Sequence, residues 1–247
     1  FQDVQQDSWY YEAVQYVRIN GLFNGMSQTV FWPEGYMTRG MFVTVLGRLA
    51  GVNPDRYAGP SAFSDVAETA YYAPYVAWAA QYGVTLGTGG GAFSPGAYVD
   101  RQQMAVFFVR YFETFQVNYG SGSPVSTTPA DLDSVSPWAR DAVLKLWRQG
   151  IFVGEDGNFN PTGFATRAQA ATLCYRTDEA VDPWYSEPGV PSDRVPVELP
   201  EPSSGGGGTG GGGGVVSNSY SVAFYDGSRR IDTLYAVKNQ PLGKVPA

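Results

Sequence analysis

The sequence predicts a mainly α protein: three helix-loop-helix repeats followed by a Gly-rich linker and a short β segment. One observation behind this prediction is a motif that occurs three times, in which a Gly-x-x-x-Gly stretch precedes an aromatic-x-Pro and then an arginine. The arginines are Arg39, Arg101 and Arg167, separated by 62 and 66 residues. The other observation is that nine of the twelve residues 203–214 are glycine. Recurrence at a near-constant spacing indicates a repeat architecture.

The first helix of each repeat is predicted from an apolar stripe that ends at a glycine. In the first repeat, apolar residues of the stretch 8–20 recur on one side, and Gly21 follows. Glycine favours the left-handed conformation that ends helices. The same pattern predicts first helices over residues 73–82 and 138–149.

The second helix of each repeat is predicted to begin after a capping residue, which is Thr38, Asp100 or Thr166. Thr166 and Gln169 fit the Thr-x-x-Gln capping box, and Asp100 with Gln103 is a close variant. The residues after each cap are almost wholly apolar, which indicates a helix buried on most sides. We therefore expect three central helices with the first helices packed around them.

These patterns divide the chain into three repeats, a linker and a β segment. The predicted boundaries are 1–60, 61–120 and 121–177 for the repeats, 178–219 for the linker, and 220–247 for the β segment. The linker is Pro-rich and then Gly-rich, so we expect an extended, solvated tract and a flexible tether. Residues 220–225 alternate as in a strand before the turn Asp226-Gly227. We expect this segment to be the truncated start of a β-rich module.

Charge and residue types exclude several functional classes. The chain has 16 Lys and Arg against 23 Asp and Glu, a net charge of −7, which argues against nucleic-acid binding. It contains no histidine, which excludes Ser-His-Asp and Cys-His catalysis and most zinc sites. The lone Cys174 cannot form an internal disulfide, and no apolar run is long enough to span a membrane. We expect no catalytic residue, no metal and no cofactor.

The repeated motifs resemble the S-layer homology domain family over residues 1–177: Phe-x-Asp-Val, an aromatic, Gly-x-x-x-Gly, Phe-x-Pro and Thr-Arg-x-x. The family's last motif is usually Thr-Arg-Ala-Glu, and this chain departs from it in every repeat. In place of the family's Glu stand Met41, Gln103 and Gln169. Asp100 replaces the Thr in the second repeat, and we expect its charge to lie beside Arg101 and to alter a groove there.

The resemblance implies a pseudo-threefold bundle with grooves between neighbouring repeats. It also implies a non-catalytic anchor that binds an acidic, pyruvylated secondary cell wall polysaccharide and attaches a surface protein to a Gram-positive cell wall. The expected location is extracellular, at the cell surface, and the expected partner is cell wall polysaccharide. Neither a nucleic-acid partner nor a membrane span is expected, and self-assembly of the intact protein is left open.

Two other functions are compatible with the residues. One is a scaffold that binds another protein at the cell surface. The other is a glycoside hydrolase, since acidic and aromatic residues are plentiful. A hydrolase needs two carboxylates at a fixed separation of about 5 or 6.5–9.5 Å across one cleft. No such pair stands out in the repeat pattern.

The three motif arginines are the strongest candidates for a ligand site. Each is predicted at the first position of a helix, where a cation opposes the helix dipole by roughly 0.3–1 kcal/mol. A misfit that recurs in every repeat requires a compensating anion. One candidate is the aspartate that opens each repeat: Asp3, Asp65 and Asp131, with Asp133 as a rival to the last. The other candidate is a ligand carboxylate, bound by the guanidinium and free helix N–H groups.

Aromatic residues and glycines complete the predicted ligand site. The aromatic candidates, which either stack on sugar rings or anchor the first helix to the core, are Trp9, Tyr71 and Trp138. The glycine candidates, which are either turn residues with unusual backbone angles or points of close approach to a ligand, are Gly25, Gly87 and Gly154.

A second set of arginines follows the first at a distance of nine residues: Arg48, Arg110 and Arg176. Nine residues make two and a half helical turns, so these side chains point to the opposite side, near the helix end. A cation there interacts favourably with the helix dipole and the last carbonyl groups. We therefore predict a structural role for this set.

Overall fold

A computed structural model of the chain describes residues 1–119 and 125–199, and the backbone of residues 219–226 and 229–237. The chain forms two compact units, Phe1–Val195 and Pro196–Ala247. The described residues of the first unit, called here the helical head, contain three pairs of α-helices. These are α1 (Tyr11–Ile19), α2 (Arg39–Leu49), α3 (Ala73–Gln81), α4 (Arg101–Phe115), α5 (Arg140–Arg148) and α6 (Arg167–Ala180).

The second helix of each repeat, α2, α4 or α6, begins directly after its predicted cap. The side chains of Thr38, Asp100 and Thr166 each accept a hydrogen bond from the backbone N–H three residues ahead. Gln169 completes the capping box of α6, and Gln103 Nε2 donates to Asp100 Oδ2 at 2.9 Å. The motif arginines therefore occupy the first helical position, as predicted.

Two of the first helices begin later than the sequence predicts. Helix α1 starts at Tyr11 rather than Ser8, and α5 starts at Arg140 rather than Trp138. The residues before α1 form a turn in which the Tyr11 N–H donates to the Ser8 carbonyl at 2.9 Å. Neither helix has a side-chain N-cap, so no local signal in the sequence marks its start. The glycines that were predicted to end the three first helices have left-handed φ angles of 65–69°: Gly21, Gly83 and Gly150.

The helix pairs close into a ring. The first helix of each repeat packs against the second helix of the preceding repeat: α3 on α2, α5 on α4, and α1 on α6. The second helices lie at the centre and bury large side chains such as Phe42 and Phe108, whose ring centroids are 5.9 Å apart. Because α1 packs on α6, every repeat depends on a neighbour to cover its apolar face.

Three backbone hydrogen bonds of 2.9–3.0 Å connect the repeats around the axis of the ring. They form a closed cycle, from Met37 N to Ala165 O, from Ala165 N to Val99 O, and from Val99 N to Met37 O. Three aromatic rings meet beside this cycle with centroids 5.4–5.6 Å apart: Tyr36, Tyr98 and Phe164. This arrangement confirms the pseudo-threefold bundle.

Residues 181–194 form a strap across the helical head. The expectation of an extended, solvated tract from residue 178 is therefore wrong as far as residue 194. Strand β1 (Tyr185–Glu187) pairs antiparallel with β2 (Val190–Pro191), and Trp184 is buried against α4. A proline-rich composition predicts an extended backbone, but it does not decide whether that backbone packs against a neighbouring surface.

A buried carboxylate holds the strap in place. Asp178, near the end of α6, accepts hydrogen bonds from Tyr16 Oη at 2.6 Å and from Trp184 Nε1 at 2.5 Å. It also accepts hydrogen bonds from both terminal nitrogens of Arg194, with which it forms a buried ion pair. Arg194 Nη1 donates to the carbonyl of Leu49, the last residue of α2, at 3.2 Å. The strap therefore ties the third repeat to the first.

The second unit contains a β-hairpin, which confirms the strand predicted over residues 220–225. Strand β3 (Ser219–Asp226) pairs antiparallel with β4 (Arg229–Val237), and Ser219 lies opposite Val237. Gly227, in the predicted turn, and the glycine tract 203–214 lie outside the described residues.

Arg194→Met tests whether the buried ion pair holds the strap on the helical head. The substitution leaves the Asp178 carboxylate buried without its cation, so we expect the free energy of unfolding in urea to fall by about 3–5 kcal/mol. The matched control is Arg56→Met, which breaks an exposed ion pair with Glu187 of the same strap and should cost about 1 kcal/mol or less. Similar losses in the two variants would show that the buried pair is not what fastens the strap.

Candidate functional site

Each motif arginine connects its own repeat to the next one. Its Nε–H donates to the carbonyl of the phenylalanine in the Phe-x-Pro loop of the neighbouring repeat. The three bonds join Arg39 to Phe93 (2.8 Å), Arg101 to Phe159 (2.6 Å), and Arg167 to Phe31 (2.7 Å). The third bond runs from the last repeat back to the first, so the arginines close the ring as the helices do.

The motif arginines are buried but keep their charge. Their exposed fractions are 5% for Arg39, 6% for Arg101 and 3% for Arg167. Each guanidinium lies over phenyl rings, as for Arg101, which lies 4.5 Å from the Phe152 centroid and 5.0 Å from the Phe159 centroid. Burial lowers the pKa of all three, that of Arg101 to about 10, which leaves the group charged at neutral pH.

The aspartates that open the repeats do not pair directly with these arginines. Each carboxylate instead accepts two backbone N–H groups of the Phe-x-Pro loop at 2.6–2.9 Å. The contacts are Asp3 with Phe31 and Trp32, Asp65 with Phe93 and Ser94, and Asp131 with Phe159 and Asn160. The aspartate thus holds the same loop to whose carbonyl the arginine donates. In the third repeat Asp131 has this role, whereas its rival Asp133 lies exposed, 3.8 Å from Arg140.

The aspartates hold these loops in an unfavourable backbone conformation. The middle residue of each Phe-x-Pro has a left-handed φ, which is 61° at Trp32, 58° at Ser94 and 55° at Asn160. Such angles are uncommon for residues other than glycine and need support from their surroundings. Hydrogen bonds from Phe93 and Ser94 lower the pKa of Asp65. Burial raises the pKa of Asp3, but the hydrogen bonds of its loop outweigh this effect and lower it.

The candidate glycines are required mainly because the loop backbone folds back on itself. A Cβ at Gly25 would overlap the Ser27 carbonyl oxygen, and a Cβ at Gly154 would overlap that of Asn158. Gly87 combines this crowding, against the Ala92 carbonyl, with a left-handed φ of 73°. The predicted unusual backbone angle is therefore found at Gly87, while the other two positions are explained by space.

The candidate aromatic residues do not anchor the first helices in the core. Their exposed fractions are 65% for Trp9, 60% for Tyr71 and 57% for Trp138. Among the aromatic rings of the described residues, the neighbours of Trp9 and Tyr71 are the adjacent Tyr10 and Tyr72, which they meet edge-on at 5.2 and 5.1 Å between centroids. Two of the three line cavities described next, and large exposed rings of this kind are available to a ligand.

Two grooves open between repeats, and each contains a motif arginine. The Arg39 groove has a cavity of about 350 Å³ and is lined by the loop 84–88 and the side chains of Gln103, Arg110 and Trp138. The Arg101 groove has a cavity of about 670 Å³ and is lined by the loop 151–156 and the side chains of Gln169, Arg176 and Trp9. The lining residues occupy equivalent sequence positions, so these are two copies of one site.

The second arginine of each groove was missed as a ligand candidate. Arg110 lines the groove of Arg39, and Arg176 lines that of Arg101. The nine-residue spacing does put the two arginines of one helix on opposite sides. Because the grooves lie between repeats, however, those opposite sides face two neighbouring grooves. The signal available in the sequence was the recurrence of Arg48, Arg110 and Arg176 at the same intervals of 62 and 66 residues.

The equivalent place in the first repeat brings together Arg167, Arg48 and Tyr71. Arg167 Nη2 donates to Asn24 O at 2.8 Å, and Arg48 Nη1 donates to Leu22 O at 3.2 Å. Burial raises the pKa of Tyr71, and the positive charges of Arg48 and Arg167 nearby oppose this rise. Arg48 is thus tied to a loop carbonyl, whereas Arg110 and Arg176 make no hydrogen bond within the described residues.

Positive charge in the grooves is left without a direct counterion. Of the ion pairs among the described residues, none involves a motif arginine, Arg110 or Arg176. Arg39 Nη1 donates to the neutral amide oxygen of Gln103 at 2.8 Å, and Arg101 Nη2 donates to Val153 O at 3.3 Å. The other terminal nitrogen of each guanidinium, Arg39 Nη2 or Arg101 Nη1, has no acceptor among the described residues. Both nitrogens retain surface that is open to solvent.

The charge of Asp100 acts on Arg39, which corrects the expectation that it lies beside Arg101. Asp100 caps α4 through Gln103, and Gln103 in turn accepts from Arg39 of the preceding repeat. Burial raises the pKa of Asp100, although the hydrogen bonds from Gln103 and Gln102 and the charge of Arg39 oppose this. The place of Asp100 was wrongly predicted for the same reason that Arg110 and Arg176 were missed as groove residues. Residues that are neighbours within one repeat face different grooves.

The fold and the grooves together define a class of protein: a closed ring of three helical repeats with cationic grooves at the repeat junctions. The model of one family, the S-layer homology domain, matches residues 1–40, 62–105 and 130–171. The chain belongs to the S-layer homology domain family. In S-layer proteins and surface enzymes this domain is a non-catalytic module that anchors them to the cell wall, and the chain is accordingly an extracellular protein of the cell surface.

Comparison with individual proteins gives the same result. The chain is 32% identical over 176 residues to an amylopullulanase of Thermoanaerobacterium thermosulfurigenes, 30% identical over 176 residues to the exoglucanase XynX of Acetivibrio thermocellus, and 29% identical over 179 residues to the S-layer protein sap of Bacillus anthracis. These alignments cover 71%, 71% and 72% of this chain but only 9%, 16% and 21% of the three relatives. Among the helices that the structure describes, none is long and apolar enough to cross a bilayer.

Asp65→Asn tests whether the aspartates hold the loops through their charge. The wild-type carboxylate has a lowered pKa, so its contribution to stability is complete above the ordinary aspartate pKa and is lost as the pH falls through the lowered value. We expect the variant to melt at a lower temperature than the wild type at pH 7, and the difference to disappear under strongly acidic conditions. Asp133→Asn, which removes an exposed carboxylate, is the control and should leave the melting temperature nearly unchanged. A difference for Asp65→Asn that is constant with pH would exclude this role of the charge.

Proposed function

We propose that the inter-repeat grooves bind acidic substituents of a secondary cell wall polysaccharide, with a pyruvate ketal as the preferred substituent. The single observation that carries the proposal is the convergence of two guanidiniums from adjacent repeats, neither of them paired with a carboxylate. In the Arg39 groove they are Arg39 and Arg110, and in the Arg101 groove they are Arg101 and Arg176.

Electrostatics favours an anionic ligand at these two places. A cation removed from water without a partner is costly, and a ligand carboxylate would offset that cost. The whole chain has a net charge of −7 and repels a polyanion at long range. Recognition must therefore come from local contacts, and a guanidinium binds a carboxylate through two parallel hydrogen bonds.

The remaining groove side chains suit a sugar that carries a pyruvate ketal. Such a ketal presents a methyl group beside its carboxylate. In the Arg39 groove, Leu86 and Phe107 line the same cavity as the two guanidiniums and offer apolar contact for that methyl. The exposed ring of Trp138 can cover the apolar face of the sugar itself.

Two grooves on one folded head would bind one polymer more tightly than either groove alone. Once the first groove is occupied, the second binds at a high effective concentration set by the spacing along the polymer. The whole protein would then be an anchored surface protein, in which the segment after the helical head connects the anchor to other modules.

Co-sedimentation with purified, protein-free cell walls tests this function. We expect the protein to pellet with native walls and to remain in solution with walls stripped of their acidic substituents. A protein-binding scaffold would stay in solution in both cases. Retention on stripped walls equal to that on native walls would contradict recognition of the acidic groups, and release of reducing ends would indicate a glycoside hydrolase.

The double variant Arg110→Gln/Arg176→Gln tests the role of the second arginines. A hydrogen bond to a charged group contributes about 1.5–3 kcal/mol, so we expect about tenfold or greater weakening at each groove and strongly reduced retention on native walls. Neither side chain bonds to the described protein, so the helical content and melting temperature should not change. Arg148→Gln, an exposed arginine away from the two groove linings, is the single-charge control and should be retained like the wild type. Wild-type retention of the double variant would rule out this site.

A further inference from the structure

The two described grooves differ in the charge of the loop that borders them. At the Arg39 groove the loop continues into Gly89, Gly90 and Gly91, and none of the described residues that line the cavity is acidic. At the Arg101 groove the equivalent loop carries Glu155 and Asp156, and both line the cavity. The loops are otherwise alike, since each folds back on the second glycine of its Gly-x-x-x-Gly motif, Gly87 or Gly154.

Glu155 and Asp156 have no structural task within the described residues. Both are exposed, and neither side chain forms a hydrogen bond or an ion pair there. The third acidic residue of this groove, Asp131, differs from them because its carboxylate binds the N–H groups of Phe159 and Asn160. The free carboxylates therefore remain to act on whatever enters the groove.

The other charges near the two grooves do not cancel this difference. Asp65 near Arg39 and Asp131 near Arg101 are equivalent loop-holding residues. Asp100 adds one negative charge near Arg39 and offsets part of the difference, although it caps α4 and does not line the cavity. Each groove has two arginines, so the Arg101 groove keeps an excess of one carboxylate, and its unpaired carboxylates, Glu155 and Asp156, line the cavity itself.

We propose that the Arg39 groove is the principal site for an acidic sugar, and that Glu155 and Asp156 weaken the Arg101 groove for the same ligand. The inference rests on the proposed function of the grooves. A carboxylate about 10 Å from a ligand anion in water changes the affinity by about twofold, so the pair should change it by about two- to fivefold at low salt. Because both side chains are exposed, salt at physiological concentration should reduce the effect. The Arg101 groove would then prefer stretches of the polymer with fewer acidic substituents.

Variants that leave one groove active separate the two sites. Both variants carry Arg48→Gln, which removes the second arginine of the equivalent place in the first repeat. Arg48→Gln/Arg110→Gln then leaves the Arg101 groove intact, and Arg48→Gln/Arg176→Gln leaves the Arg39 groove intact. Isothermal titration with a methyl glycoside carrying one pyruvate ketal should show about two- to fivefold tighter binding to the Arg39 groove at low salt. Adding Glu155→Gln/Asp156→Asn should raise the affinity of the Arg101 groove by a similar factor and leave that of the Arg39 groove unchanged.

The controls distinguish failure of this inference from failure of the proposed function. Asp55→Asn/Glu68→Gln makes the same change of net charge at exposed positions outside both linings and should leave both affinities unchanged. Equal affinities of the two grooves, or an equal gain in both on neutralisation, would overturn the inference while the function stands. No binding by the wild type, or wild-type affinity in Arg48→Gln/Arg110→Gln/Arg176→Gln, would overturn the proposed function itself. Melting curves of every variant confirm that each is folded.

Discussion

The hydrogen bond from each motif arginine to a phenylalanine carbonyl of the next repeat is the interaction on which the rest of the structure depends. Through Arg39, Arg101 and Arg167 it joins the three repeats in a closed cycle, alongside the helix contacts and the backbone bonds at the axis. It also places a guanidinium at each junction with part of its donor capacity unused. The group that closes the fold is thus the group that makes the grooves cationic.

A loop in a left-handed conformation is needed to present that carbonyl, and the aspartate of each repeat supplies the support. Asp65, for example, accepts from Phe93 and Ser94, while the Phe93 carbonyl accepts from Arg39. The aspartate and the arginine therefore act on one loop from two repeats without touching each other. This explains how a chain with a net charge of −7 can keep buried arginines free of carboxylate partners.

The sequence was sufficient for the features that are local. Caps, helix order and the threefold repetition follow from neighbouring residues, and Thr166 with Gln169 forms the capping box that was predicted. What could not be predicted is how one repeat meets the next. Each repeat considered by itself places Asp100 beside Arg101 and does not show that Arg110 lines a groove, because residues adjacent in sequence face different grooves. The strap was not predicted for a related reason. Asp178 and Arg194 hold the strap through hydrogen bonds with Tyr16 and Leu49 of the first repeat, which are far away in the sequence.

The central claim is that the motif arginines of the two grooves, Arg39 and Arg101, both close the ring and bind an anion. Nuclear magnetic resonance of ¹⁵N-labelled arginine side chains, titrated with a pyruvylated saccharide, tests it most directly. We expect the Nε–H signals of Arg39 and Arg101 to be protected from exchange before any ligand is added, and their terminal nitrogens, with those of Arg110 and Arg176, to shift and become protected on binding. Saccharide binding that leaves all of these signals unchanged would contradict the claim.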